Sequence, residues 1–191
     1  EQLIKVAASI WLFRVALVEK LNTELKTLSK KITGSSLSIV YEVPIKFADR
    51  KELEKAYLTK LNSLESEEIV KTTTLVGPQR DDFSLIAEEL RSEKVISKDL
   101  AIYGSRGEQR AAALALKLAE VNLIEKEKND KPVLLLDEVL SELDMRHRQL
   151  LLKEIRGVQS FITTTSLDNV LMRSHSQIEK FEVSEGKIIV G

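Results

Sequence analysis

The stretch Pro132-Val-Leu-Leu-Leu-Asp-Glu-Val-Leu-Ser-Glu-Leu-Asp144 decides the fold class of this chain. Its four apolar residues at 133–136 run directly into the carboxylates of Asp137 and Glu138. An apolar run of this length predicts a central strand that is covered on both faces, as in parallel sheets. Ligands of open α/β sheets bind at the carboxyl ends of strands. Two carboxylates there indicate a Mg²⁺ ligand and a base for a water, which a nucleotide hydrolase requires.

The composition excludes several classes of protein. The 191 residues include 29 basic and 30 acidic side chains, so the net charge of -1 gives no bulk attraction to nucleic acid. The chain has no cysteine and two histidines, which excludes a disulfide framework and leaves little room for zinc. The lack of cysteine fits a cytoplasmic location, which we predict. The apolar run at 6–18 is interrupted by Arg14 and is too short to span a bilayer, so we predict no membrane partner.

Residues 1–70 have the pattern of a helix, a strand and a second helix. Apolar residues at three- and four-residue steps predict a helix over 2–32, which Gly34 would end. Alternation predicts a strand over 37–43. A D-x-x-E capping pattern that begins at Asp49 predicts a helix over 50–70.

Residues 71–191 have shorter elements, and from 105 onward helices alternate with strands, which predicts a parallel sheet. The expected elements are a strand at 72–76, a return strand from 79 to 86, a polar irregular stretch at 87–104 with a short strand at 100–103, a helix at 106–126, a strand at 133–137, a helix at 145–156, a strand at 160–164, a short helix near 167, and a hairpin of 179–183 with 187–190.

The segment Gly104-Ser-Arg-Gly-Glu-Gln-Arg110 opens the predicted helix at 106–126. Ser105 and Glu108 have the spacing of a capping box. Two glycines leave the backbone uncrowded, so an anion could approach the free N–H groups and the positive end of the helix dipole. An ordinary well-capped helix would have the same pattern.

Polar residues also follow the strand at 133–137 and end the next strand. Asp144 is a good N-cap for the helix near Met145, and a ligand role is equally compatible with its position. The run Phe161-Ile-Thr-Thr-Thr165 places hydroxyls at a strand end, where threonine is also favoured by β propensity alone.

The order and spacing of these segments resemble the second half of an ABC-type ATPase head. The resemblance implies that an S-x-G-E-Q signature binds the γ-phosphate of ATP held by a partner subunit, that Mg²⁺ is held at the acidic strand, and that the next glutamate is the catalytic base. In this chain the resemblance implies that the signature residues bind the γ-phosphate; they are Ser105, Gly107, Glu108 and Gln109. It implies that Asp137 binds Mg²⁺ and that Glu138 is the catalytic base. It also implies that Asp144 belongs to the D-loop and that Thr165 contacts the γ-phosphate.

Three segments are similar to the RecF family of bacterial recombination and repair ATPases. They are Gly77-Pro-Gln-Arg-Asp-Asp82, with Gln79 in place of the usual histidine, the signature helix Ser105-Arg-Gly-Glu-Gln-Arg110 with the alanine- and leucine-rich run that follows it, and Leu134-Leu-Leu-Asp-Glu-Val-Leu-Ser-Glu-Leu-Asp144. The resemblance implies ATP and Mg²⁺ as cofactors, an ATP-dependent homodimer, binding at gaps between single- and double-stranded DNA, and recombination mediator proteins as partners.

The resemblance also implies the architecture. We expect an α/β fold that forms the C-terminal part of an ABC-type ATPase head, a parallel sheet flanked by helices, preceded by a helical arm segment. Residues 1–70 would be part of the arm domain, and 71–191 would carry the signature, the acidic strand known as Walker B, and the D-loop.

No G-x-x-x-x-G-K-[ST] loop occurs in the chain, although a head of this type needs one to hold the ATP phosphates. We therefore expect the C-terminal part of a longer ATPase, which alone does not bind or hydrolyse ATP appreciably. A degenerate head would also lack the loop.

Alternatives to the leading interpretation are an SMC-like chromosome or repair ATPase head and a non-catalytic interaction domain on the same scaffold. Arg80 beside Asp81 and Asp82 could form a salt-bridge cluster at a turn or could order the nucleotide face. Candidate DNA contacts are Lys30, Lys31, Arg146 and Arg148. Basic residues on an ordinary solvated helix face would have the same pattern.

Overall fold

A computed structural model describes residues 1–91, 94–165 and 178–190 of the chain. The chain divides into two compact units, Glu1–Leu123 and Ile124–Gly191. Among the described residues, no helix is long and apolar enough to cross a membrane.

The first unit begins with the two helices that the sequence predicts. Helix α1 spans Gln2–Thr33 and ends at Gly34, whose φ of 81° lies in the left-handed region that glycine adopts without strain. Helix α2 spans Arg50–Lys71, and the Asp49 carboxylate caps it by accepting the N–H of Glu52. Both predicted helices are confirmed.

The two helices enclose an apolar core between them. The largest fully buried side chains include Trp11 of α1 with Leu53 and Tyr57 of α2. The Trp11 and Tyr57 rings meet edge to face, with centroids 4.8 Å apart. Such a pair adds about 0.5–1.5 kcal/mol to the stabilisation that burial provides.

A three-stranded antiparallel sheet completes this part of the first unit. Strand β1, Ser36–Tyr41, pairs with β2, Phe83–Arg91, which pairs with β3, Lys94–Asp99. The expected irregular stretch at 87–104 is therefore wrong. The first four residues of β3 are all exposed, so neither face of this part of the strand needs apolar side chains and the alternation that marks a strand is weak.

The expected strand at 72–76 is also wrong. Thr72 has a left-handed φ of 51° and ends α2, with its N–H directed to carbonyls of the last helical turn. The N–H of Leu75 donates to the Glu68 carboxylate over 2.6 Å. These bonds attach the segment to the helix end and override the β propensity of its threonines.

Two short helical elements and one long helix follow. Residues Pro78–Arg80 form a 3₁₀ turn, and the return strand begins only at Phe83. Helix α3, Leu100–Tyr103, replaces the expected short strand because the Asp99 carboxylate caps it through the Ala101 N–H. Helix α4 spans Arg106–Lys128, as predicted, and buries alanine and leucine side chains along one face.

The second unit contains the parallel pair that the sequence predicts. Strand β4, Leu134–Asp137, lies parallel to β5, Ser160–Thr163. Between them lie the one-turn helix α5, Val139–Glu142, and helix α6, Met145–Glu154. The expectation that β4 is covered on both faces is wrong for the described residues, because the side chain of Leu135 is 76% exposed on a sheet of two strands.

A hairpin ends the described chain, as predicted. Strands β6, Phe181–Ser184, and β7, Lys187–Val190, are antiparallel. Glu185 and Gly186 between them both have positive φ, the conformation of a two-residue type I′ turn. The helix expected near residue 167 lies outside the described residues.

Candidate functional site

Strands β4 and β5 end side by side at the acidic pair. In the parallel register, Asp137 lies opposite Thr163. The Thr163 hydroxyl donates to Asp137 Oδ1 over 2.5 Å and accepts the backbone N–H of Glu138 over 3.0 Å. One hydroxyl thus connects the predicted Mg²⁺ ligand with the main chain of the predicted catalytic base. The sequence indicated hydroxyls at this strand end but did not indicate this role for Thr163.

The main chain of Glu138 has an unusual conformation. Its φ of 53° and ψ of 11° are left-handed, which costs a residue with a Cβ about 1–2 kcal/mol. Its carbonyl accepts the backbone N–H of Ser141 over 3.1 Å and the Ser141 hydroxyl over 2.7 Å. The backbone of Glu138 is therefore held on both sides, by Thr163 at its N–H and by Ser141 at its carbonyl.

Asp144 caps helix α6, as its spacing predicted. Its carboxylate accepts the N–H of His147 over 2.9 Å and lies 2.8 Å from His147 Nδ1. The bond from the His147 backbone is the main cause that lowers the pKa of the Asp144 carboxyl. A capping role is thus present, and a D-loop role for Asp144 stays a prediction.

The predicted capping box is present at the start of α4 in the first unit. The Ser105 N–H donates to Glu108 Oε2 over 2.8 Å, and the Glu108 N–H donates to the Ser105 hydroxyl over 3.3 Å. The second oxygen, Glu108 Oε1, binds Lys98 Nζ of β3 at 2.5 Å. The Lys98 ammonium is the main cause that lowers the pKa of Glu108 to about 2, with the bonds from Ser105 next.

Other residues of the segment 104–110 have distinct surroundings. Gln109 donates through Nε2 to the Leu100 carbonyl over 2.8 Å, which ties the first turn of α4 to α3. A Cβ added to Gly104 would lie 2.4 Å from the same Leu100 carbonyl oxygen, so only glycine fits there. A Cβ added to Gly107 would meet nothing within 4 Å. The expectation of an uncrowded backbone is therefore wrong at Gly104, where the Leu100 carbonyl lies close, and holds at Gly107, where binding of an anion stays a prediction.

Asp81 is the centre of a buried polar cluster in the first unit. Its side chain is 2% exposed, and Oδ2 accepts the Trp11 indole N–H and the Tyr41 hydroxyl, each over 2.6 Å. The same oxygen lies 3.4 Å from an Arg14 guanidinium nitrogen. Burial, followed by the hydrogen bond to Asp81, raises the pKa of Tyr41 to about 12.

This cluster answers the question that the sequence left open at Arg80. The Arg80 guanidinium donates to the Thr74 carbonyl over 2.7 Å and to the Thr73 hydroxyl. Arg14, rather than the adjacent Arg80, is the cation that pairs with Asp81. Asp81 therefore fixes the 3₁₀ turn against α1 and β1. No local sequence pattern links its partners Trp11, Arg14 and Tyr41 to this turn.

The candidate DNA contacts differ in their surroundings. Lys30 and Lys31 are exposed in the last turn of α1. Arg146 is exposed near the start of α6, whereas the half-buried Arg148 donates to the Leu143 carbonyl over 2.8 Å. Contact with DNA stays a prediction for all four.

The donor set near Asp137 fits Mg²⁺ bound together with a nucleotide. Among the described residues there is no group of three or more His, Cys, Asp or Glu side chains that could hold a metal by itself. Mg²⁺ commonly binds through one or two carboxylates, waters and substrate phosphates. A single carboxylate at a strand end meets this requirement, with the remaining ligands supplied by a nucleotide and waters.

Comparison with known proteins finds relatives of this chain, although no protein-family model matches. The chain is 43% identical over 156 residues to the DNA replication and repair protein RecF of Streptococcus agalactiae serotype Ia, covering 81% of this chain and 39% of the relative. It is 37% identical over 195 residues to RecF of Bacillus pumilus, covering 99% of this chain and 50% of the relative. The chain thus spans about half the length of the curated relatives it matches.

Solved structures give the same result. A structure of the recombination mediator protein RecF with ATP in the RecFOR pathway matches 99% of this chain and 48% of its own, with a TM-score of 0.74 and 31% identity. A structure of an SMC ATPase, described by its ATP-driven dimerisation, matches 96% of this chain and 88% of its own, with a TM-score of 0.51. Its 17% identity shows likeness of fold alone. The expected ATPase-head fold is confirmed.

Proposed function

Because this chain belongs, over the part that it spans, to the RecF family of DNA replication and repair proteins, we propose that it supplies the signature, Walker B and D-loop part of an ATP-dependent DNA-repair protein. Its partners would be ATP, a second copy of the same protein, recombination mediators and DNA gaps, and it would act in the cytoplasm. The RecF relative solved with ATP supports the nucleotide. Residues 1–70 would belong to the arm domain and 71–191 to the head.

The arrangement of Asp137, Thr163 and Glu138 carries this proposal. Asp137 presents a carboxylate at the carboxyl end of a parallel strand, where α/β sheets bind ligands. Glu138 follows directly, with its main chain fixed by hydrogen bonds at the N–H and the carbonyl. Asp137 would hold Mg²⁺, which neutralises charge on the ATP phosphates when bound. Glu138 would orient the attacking water and accept its proton at the side-chain carboxylate.

The start of α4 supports the second half of the proposal. The first N–H groups of a helix have no intrahelical partner and attract anions together with the helix dipole. The open surface at Gly107 lets a phosphate approach them. Ser105, Gly107, Glu108 and Gln109 would therefore face the γ-phosphate of an ATP bound by another copy, with Asp144 in the D-loop and Thr165 as a further γ-phosphate contact.

Dimerisation of the full-length protein tests the signature assignment. Ser105→Arg places a bulky cation where the second copy would approach, so we expect ATP-dependent dimerisation to be lost while each monomer still binds ATP. Light scattering with and without ATP, and nucleotide binding by calorimetry, measure the two properties. Ser63→Arg is the matched control because Ser63 is exposed on α2 and its hydroxyl donates to the Lys60 carbonyl of the same helix. Dimers that persist in Ser105→Arg would show that the signature assignment is wrong.

Turnover tests the base. Glu138→Gln keeps the size of the side chain but cannot accept a proton, so we expect ATP hydrolysis to fall by about 10²-fold or more and the ATP-bound dimer to persist longer. Steady-state turnover and the lifetime of the dimer after ATP is diluted are the measurements. Unchanged turnover would exclude Glu138 as the base.

A further inference from the structure

The hydroxyl of Thr163 joins the two acidic residues of the candidate site. We propose that Thr163 is a positioning residue that fixes the Asp137 carboxylate and the Glu138 main chain relative to each other. This inference rests on the proposed function, because it assigns Thr163 a role in the same nucleotide site. It is separate from the γ-phosphate contact predicted for Thr165.

The hydrogen bonds at Thr163 have a defined direction. A hydroxyl carries one proton, and an ionised carboxylate only accepts. Thr163 must therefore donate its proton to Asp137 Oδ1, at 2.5 Å, and accept the N–H of Glu138, at 3.0 Å. The resulting chain of bonds runs from the backbone of the proposed base to the proposed metal ligand. Neither bond can be kept if the hydroxyl is removed.

The conformation of the Glu138 backbone explains why a hydrogen bond to Thr163 is needed to hold it. Its left-handed conformation ends strand β4, so the strand itself does not hold the residue in place. Ser141 holds its carbonyl, and Thr163 holds its N–H. Loss of the Thr163 bond would leave the left-handed residue held on one side only, while the Asp137 carboxylate would become free to rotate.

The side-chain type at position 163 fits this role. A β-branched residue suits a strand and has a restricted χ1, which directs the hydroxyl toward the neighbouring strand end. Valine has nearly the same shape and lacks the hydroxyl, and serine keeps the hydroxyl with more freedom. Thr163 is exposed, so its hydrogen bonds should add little to folding and mainly affect orientation.

Metal affinity separates positioning from folding. We would measure Mn²⁺ binding by electron paramagnetic resonance in the full-length protein saturated with a non-hydrolysable ATP analogue. Residues that orient a metal ligand typically change metal affinity by 10- to 100-fold when substituted. We expect Thr163→Val to weaken Mn²⁺ binding about 10-fold and Thr163→Ser to restore it to within about 3-fold. Thr163→Ala serves as a second variant if Thr163→Val does not fold.

The controls distinguish this inference from the proposed function. Thr59→Val removes an exposed helix hydroxyl that donates to the Lys55 carbonyl, and it should leave Mn²⁺ affinity unchanged. Asp137→Asn should reduce binding to that of the nucleotide alone. If Asp137→Asn does so while Thr163→Val changes affinity less than about 3-fold, or Thr163→Ser is as weak as Thr163→Val, the inference is overturned alone. Parent-like affinity in Asp137→Asn would overturn the proposed function and this inference with it.

Discussion

Replacing Lys98 by methionine tests what keeps the Glu108 carboxyl, in the first turn of α4, in its ionised form. Lys98 Nζ lies 2.5 Å from Glu108 Oε1 and is the main cause that lowers the pKa of Glu108 from 4.5 to about 2. Methionine keeps much of the length of lysine without its charge or its donors. We therefore expect the pKa of Glu108 to rise most of the way toward 4.5 in Lys98→Met. The hydrogen bonds from Ser105 should retain the rest of the shift.

The same pKa shift stabilises the fold, and the size of this contribution depends on pH. The folded pKa is lower than the unfolded value, so ionised Glu108 stabilises the fold above about pH 4.5, and this contribution is lost as the pH falls through about 2. At face value the shift is worth about 3 kcal/mol. The Lys98 and Glu108 side chains are 29% and 41% exposed, so solvent screening should reduce the loss in Lys98→Met at pH 7 to about 0.5–1 kcal/mol.

Two measurements test this reasoning. Carbon-13 NMR of the Glu108 carboxyl group follows its titration, and urea unfolding at pH 7 gives the free energy of unfolding. Lys98→Arg keeps the charge and should keep most of the pKa shift. Lys117→Met breaks a more exposed ion pair with Glu120 and should leave the pKa of Glu108 unchanged. A Glu108 pKa that stays near 2 in Lys98→Met would refute the assignment of Lys98 as the main cause.

Two further substitutions test packing, both by urea unfolding. Asp81→Asn should lower the free energy of unfolding by about 2–3 kcal/mol, because it replaces a buried carboxylate that has three donors. Asp82→Asn, at an exposed position, should change it by no more than about 0.5 kcal/mol. Gly104→Ala should cost about 1–3 kcal/mol because its Cβ would lie 2.4 Å from the Leu100 carbonyl oxygen. Gly107→Ala should be neutral or stabilising by up to about 1 kcal/mol, since open space surrounds its Cβ and alanine favours a helix. Equal losses at the two glycines would contradict the steric argument.

Local sequence rules predicted the elements that local interactions determine. The end of α1 at Gly34, the cap of α2 at Asp49 and the capping box of Ser105 with Glu108 all depend on residues within four positions of each other. The parallel pair of β4 and β5 followed from the alternation of helices and strands. The helix ends and caps are visible in the sequence because their physical causes lie within a few residues, whereas the parallel pair is visible only through the order of the elements.

Tertiary contacts determined the features that the sequence did not reveal. The Thr163 hydroxyl reaches Asp137 across 26 positions, and Arg14 reaches Asp81 across 67. Strand β3 was missed because most of it is exposed and has no apolar face to mark it. Lys98 lies in that strand, and an irregular stretch at 87–104 gives no reason to expect its contact with Glu108.

The negative charge of Glu108 caps α4 but lowers the positive potential at the helix start, and Lys98 compensates for that charge. A capping box places a carboxylate at the third helical position, where it accepts the Ser105 N–H. A helix start that binds a phosphate gains from positive potential, which a nearby carboxylate reduces. Lys98 is bound to the other oxygen of the same carboxylate, so the pair contributes no net charge while the cap remains in place. The pair thus leaves the capped geometry in place and adds no net negative charge at this helix start, where the proposed γ-phosphate contact would lie.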